Sequence, residues 1–166
     1  MDITRKKIRE IILEVFDKPT IPNDLETIKT IDGIVYKFKT SSHNYCVKFK
    51  KYSGKEFKPI GLTDDVKLNK IITNNNDMYY LNWGTCDKND NPIDDINTGS
   101  GEEVYVFNSV FAIIEDFIKE ESPGIIFYKA LEKRKSIYDK MFNKINIGYI
   151  IKHAVMNTFL IKKELI

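Results

Sequence analysis

The feature that most constrains this chain is a change of period between residues 25 and 52. In "TIKTI-DG-IVYKFKT" apolar and polar residues alternate on both sides of Asp32-Gly33, and "NYCVKFKKY" resumes the alternation after a polar turn at Ser41-Ser42. A period of two sends successive side chains to opposite faces of an extended strand. Asp-Gly is a favoured pair for a tight hairpin. The spacing therefore predicts three antiparallel strands in sequence order, with the first turn at Asp32-Gly33.

The remaining elements follow from the same reasoning. "MYYLNWGT" (Met78 to Thr85) reads as a fourth strand, and "DDVKLNKII" before it as a short helix closed by the loop Asn74-Asn75-Asn76. "PGIIFYKA" (Pro123 to Ala130) is a nearly continuous apolar run, as expected of a strand buried on both faces. "LEKRKSIYDKMFNKI" places Leu131, Arg134, Tyr138, Met141 and Ile145 on one helical stripe, and "NTFLIKK" reads as the last strand. At the N-terminus, residues 3–16 form an amphipathic helix stopped at Asp17-Lys18-Pro19. Its stripe of Ile8, Ile11, Ile12, Val15 and Phe16 demands burial, against its own domain or in the groove of a partner, and is the candidate partner-binding face. No repeat or low-complexity linker interrupts the chain. One α+β domain spanning residues 1–166 is predicted, with a mostly antiparallel sheet and flanking helices.

Composition narrows the function classes. A chain of 166 residues can bury a core without metals or disulfides. A net charge of +2 is too small for bulk attraction to nucleic acid, and three of the 26 basic residues are arginine (Arg5, Arg9, Arg134). The abundance of lysine, isoleucine and asparagine points to an AT-rich genome. Cys46 and Cys86 have no CxxC spacing and only His43 and His153 to join them, so no metal site is expected. The cysteines read as reduced thiols of an intracellular protein. The charged N-terminus is not a signal peptide, and no stretch reaches the roughly 18 apolar residues of a membrane span. In "DKNDNPIDD", Asp87, Asn89, Asn91 and Asp95 have calcium-loop spacing, but Pro92 and Thr98 stand where the loop needs Gly and Glu, so a plain turn-rich loop is expected.

The stretch "INTGSGEEVYVFNSVFAIIEDFI" (Ile96 to Ile118) puts a glycine-rich turn directly before a strongly apolar helix. Such a turn can cradle a phosphate on the helix N-terminus, or it can simply cap the helix through Thr98 or Ser100. The order of elements over roughly residues 25–163 resembles the GNAT acetyltransferase fold. That resemblance implies that Gly99, Ser100 and Gly101 hold the pyrophosphate of acetyl-CoA and that Tyr138, in "SIYDKM", protonates the departing thiolate. The family's loop begins with Gln or Arg, where this chain has Ile96. Glu102 and Glu103 follow, opposing a pyrophosphate by about 1 kcal/mol each. Read without the resemblance, the two glutamates complement the helix dipole, and Tyr138 is a core residue with Arg134 one turn before it.

Residues 98–145 also resemble a family of small tailed-phage proteins. The motif residues are Thr98, Gly99, Gly101, Val106, Phe107, Val110, Ile113, Ile114, Phe117, Arg134 and Tyr138, nearly all of them turn or core positions. The expectation is therefore a non-catalytic phage protein working by protein–protein contact, as a virion component or a host-directed factor. It would be found in the virion or the host cytoplasm, with other phage or host proteins as partners and no cofactor. The alternative is an acyl-CoA-dependent N-acetyltransferase using acetyl-CoA.

Overall fold

The computed structural model describes residues 19–56, 65–93, 102–129, 132–144, 148–154 and 157–166; within 132–144, side chains are described from Tyr138 onward. The N-terminal stripe Ile8, Ile11, Ile12, Val15 and Phe16 and the turn residues Gly99, Ser100 and Gly101 lie outside this set. The chain is α+β, built on a mostly antiparallel eight-stranded sheet. Its strands are β1 (Glu26–Thr30), β2 (Gly33–Lys39), β3 (Asn44–Tyr52), β4 (Met78–Cys86), β5 (Pro92–Ile93), β6 (Ile125–Tyr128), β7 (Tyr149–His153) and β8 (Thr158–Lys162). The helices are α1 (Val66–Asn74), α2 (Glu103–Glu121) and α3 (Glu132–Lys144). The strands run β1-β2-β3-β4-β6-β8-β7, with β5 beside β4; among the described residues the one parallel pair is β4 with β6, and α2 is the crossover between them.

The alternating segment forms β1, β2 and β3 as predicted, with one shift. Thr30 pairs with Gly33, so the turn residues are Ile31 and Asp32. Gly33 belongs to β2 for a steric reason. Its φ is +145°, and a Cβ there would lie 2.0 Å from the Phe49 carbonyl oxygen. Close approach of β3 thus uses the glycine, and the turn leaves Ile31 96% exposed. The edge strand β7 was not anticipated. Its residues are half-buried or exposed and carry no clean alternation, and pairing with β8 is what makes them a strand.

Each face of the sheet has its own apolar cluster. On one face, Ile34, Tyr36 and Phe38 of β2, Tyr45, Val47 and Phe49 of β3, and Tyr79, Leu81 and Trp83 of β4 lie under α2 and α3. From α2 come Val106, Val110, Ile113, Ile114 and Phe117, at the helical spacing that lines one side. Each large side chain so buried contributes about 1.5–3 kcal/mol. On the other face, Leu68 and Ile72 of α1 cover Met78, Ile125, Phe127, Phe159 and Ile161. All four residues of β6 are buried, as its continuous apolar run requires of a strand packed on both sides.

The helix ends are locally encoded. Asp65 caps α1, its carboxylate accepting the Leu68 N–H at 3.0 Å. Ser122 ends α2 in the left-handed conformation (φ 46°), its N–H donating to the Ile118 carbonyl at 3.0 Å, and Pro123 follows. Among the described residues no helix is long and apolar enough to cross a membrane.

The cysteines correct the expectation of reduced thiols. Cys46 and Cys86 form a disulfide with a Cα separation of 5.2 Å. Pairing of β3 with β4 sets Cys46 opposite Gly84, which brings Cys86, two residues on along β4, within bonding reach across the strand pair. A sequence separation of 40 hid that proximity.

Candidate functional site

Among the described residues, three places assemble chemistry-bearing side chains. The first is the start of α2. The helix begins at Glu103 with Glu102 in the cap position, where the sequence had suggested Thr98 or Ser100, and Glu102 makes no side-chain bond to its own helix. Its carboxylate turns to the β2–β3 turn and accepts the Ser41 hydroxyl and, at 3.3 Å, the Ser42 hydroxyl. The Ser41 bond, then those of Thr40 and Ser42, hold the Glu102 carboxyl below its usual value. An internal anion thus stands at the positive end of the α2 dipole, and Glu103 behind it is buried.

The second place is where β6 meets α3. Tyr138 is 7% exposed. Its ring stacks on Tyr128 at 4.9 Å and on Phe142 at 6.3 Å, with Trp83 of β4 at 6.1 Å. Beside this stack, His153 Nε2 lies 3.5 Å from Asp139 Oδ2, and His153 Nδ1 lies 3.1 Å from Thr158 Oγ1. Burial, then the charge of Asp139, pushes the Tyr128 phenol far above its ordinary value. Acid, imidazole and hydroxyl in a row is the order of an activated nucleophile. However, Thr158 is 5% exposed, pairs with Tyr128 in the sheet and offers no face to a substrate. The set instead ties α3 to the β7–β8 hairpin. No sequence signal marked it, because its members come from three separate elements.

The third place is the second face of the sheet, beside α1. Lys48, Lys50 and Tyr52 of β3 point to the same side as Tyr80 and Asn82 of β4. With Asn91 and Pro92 they line a cavity of ≈210 Å³. Tyr52 and Tyr80 also belong to a second cavity of ≈310 Å³, with Glu56, Phe127, Lys129 and Asn157. Alternation in "NYCVKFKKY" put the lysines on one face, but the approach of Tyr80, Phe127 and Lys129 depends on the strand order.

The loop with calcium-like spacing, expected to be a plain turn and described as far as Ile93, with Asp95 and Thr98 outside the described residues, turns on its own side chains. Asp87 Oδ1 accepts the N–H groups of Asn89 and Asn91, both at 2.8 Å, which lowers the Asp87 pKa. Lys37 reaches Asp90 at 2.9 Å, and Lys48 donates to Asn91 Oδ1 at 2.8 Å. Comparisons of the chain with protein-family models, with curated proteins and with solved structures give no match.

Proposed function

We propose that this chain is a non-catalytic phage protein that works through contact with other phage or host proteins, as a virion component or a host-directed factor, on a scaffold with a GNAT-like order of elements. The observation that carries the non-catalytic part is Tyr138. An acetyltransferase would need this hydroxyl at its reacting atoms, and its ring is closed into the stack with Tyr128 and Phe142. Glu102 adds to the argument by keeping a carboxylate at the end of α2 where a pyrophosphate would sit. The α2 crossover between parallel β4 and β6, with β8 next to β6, supports the likeness in element order. The stripe Ile8, Ile11, Ile12, Val15 and Phe16 is proposed, from its sequence, as one contact surface.

The second reading is an acyl-CoA-dependent N-acetyltransferase with Gly99, Ser100 and Gly101 on acetyl-CoA and Tyr138 as acid. One observation favours it: β4 and β6 are parallel with α2 as the crossover between them, the part of the element order on which the GNAT resemblance rests. Calorimetry with acetyl-CoA at millimolar ligand separates the readings. No heat is expected, and a micromolar dissociation constant would overturn the non-catalytic reading. Co-sedimentation with intact virions then distinguishes a virion component from a host-directed factor.

A further inference from the structure

We propose that the trough on the second face of the sheet is a docking site for an extended acidic segment of a partner protein, anchored by one apolar side chain. This rests on the protein-contact reading and names the chemistry of one contact. The two cavities adjoin at Tyr52 and Tyr80, which line both, so the trough is a pair of neighbouring hollows, one reaching Asn91 and Pro92 and the other Asn157. The larger, ≈310 Å³, is near the lower end of the range of about 300–1,000 Å³ that holds a small ligand, a size suited to a side chain.

Charge selects the occupant. Lys48, which donates to Asn91 Oδ1, Lys50 and Lys129 line the trough, and among the described lining residues the one carboxylate is Glu56, which accepts the Ser53 N–H at 2.7 Å. Lys50 Nζ lies 5.2 Å from the Tyr52 ring centroid, which holds the ammonium over the trough. Cations along the walls over an apolar floor complement carboxylates flanking an apolar anchor.

The aromatic floor argues against a nucleic-acid strand. Tyr52 packs edge-on to Tyr80 at 6.3 Å and to Phe127 at 5.4 Å, and Tyr80 lies 5.2 Å from Phe127. These rings are spent on one another, whereas base binding needs ring faces held out as platforms. The cations are lysines, which lack the planar fork that reads phosphate in bidentate fashion.

The test uses the full chain and a short fluorescein-labelled peptide of glutamates around a central phenylalanine, read by fluorescence anisotropy at low and moderate salt. Binding that weakens with salt is expected, with a loss of roughly tenfold or more in Lys50→Glu and in Lys129→Glu. Both lysines are exposed, so unchanged melting temperatures should accompany the loss. Lys119→Glu, on α2, should bind as the wild type does. Absence of peptide binding, or equal binding by the two trough variants, overturns the inference. Tighter binding of an oligothymidylate that the same variants abolish overturns it in favour of a nucleic acid. Co-sedimentation with virions keeps the two levels apart. If Lys50→Glu sediments with virions as the wild type does while the peptide result is negative, the trough fails and the protein-contact reading stands.

Discussion

Phe117 of α2 lies flat on Phe49 of β3, ring centroids 3.6 Å apart and planes 10° from parallel, with the edge of Tyr79 against it at 5.0 Å. Both phenylalanines are fully buried. This contact locks the crossover helix onto the antiparallel half of the sheet and so sets where the start of α2 meets the β2–β3 turn.

Truncating that contact should be expensive. Phe117→Ala removes the ring from a site with no exposure, and a loss of about 3–5 kcal/mol is expected from transfer plus the residual cavity. Urea denaturation measures it. An unchanged midpoint would mean that α2 is not held by this face.

The disulfide should be present in the native chain and should stabilise it. With a sequence separation of 40, breaking the Cys46–Cys86 bond by Cys86→Ser is expected to cost about 2–4 kcal/mol. Thiol titration of the folded protein before reduction is the direct check. Two reactive thiols in oxidised, native protein would remove the bond.

Alkaline pH should destabilise the fold through its buried phenols. Burial, then the carboxylates of Glu120, Asp116 and Glu121, pushes Tyr36 up to about 12. Burial, then Asp77 and Glu164, pushes Tyr149 up to about 12. Between the ordinary phenol value of 10.0 and about 12, the unfolded chain has lost protons that the folded chain keeps. Stability is therefore fully present below about pH 10 and falls as pH rises to about 12. Denaturation midpoints across that window, alongside tyrosinate absorbance, give the slope. Tyr36→Phe should flatten it, and a wild-type midpoint independent of pH there would contradict both shifts.

Glu102 gives the opposite sign at the acid end. Its carboxyl is held below the ordinary value of 4.5, first by the Ser41 hydroxyl, so its contribution is present above that value and lost as pH falls through the folded pKa. Glu102→Gln should lower the melting temperature at neutral pH, and the gap from wild type should close in acid. Ser41→Ala should reproduce part of the effect, with the double variant less than additive. A gap that persists at low pH would show that the carboxylate's charge is not what ties the β2–β3 turn to α2.

What the sequence by itself determined is local. The alternation from Leu25 to Tyr52 set β1, β2 and β3, Asp65 and the spacing of Leu68 and Ile72 set α1, and the apolar runs set α2 and β6. These signals are legible because backbone geometry turns a period into a face, and burial then selects apolar residues on that face. Tertiary structure alone decided the rest. The placement of β8 between β6 and β7 made a strand of Tyr149–His153, and the β3–β4 register joined Cys46 to Cys86. Docking of α3 on β6 chose the stacking partner of Tyr138, a core position already legible in the sequence, by setting its ring against Tyr128. The trough of Lys50, Tyr80 and Lys129 likewise exists only because β3, β4 and β6 lie side by side. Such pairings join residues tens of positions apart, and their partners follow from which register buries the most apolar surface across the whole sheet, a quantity that no local window of sequence contains.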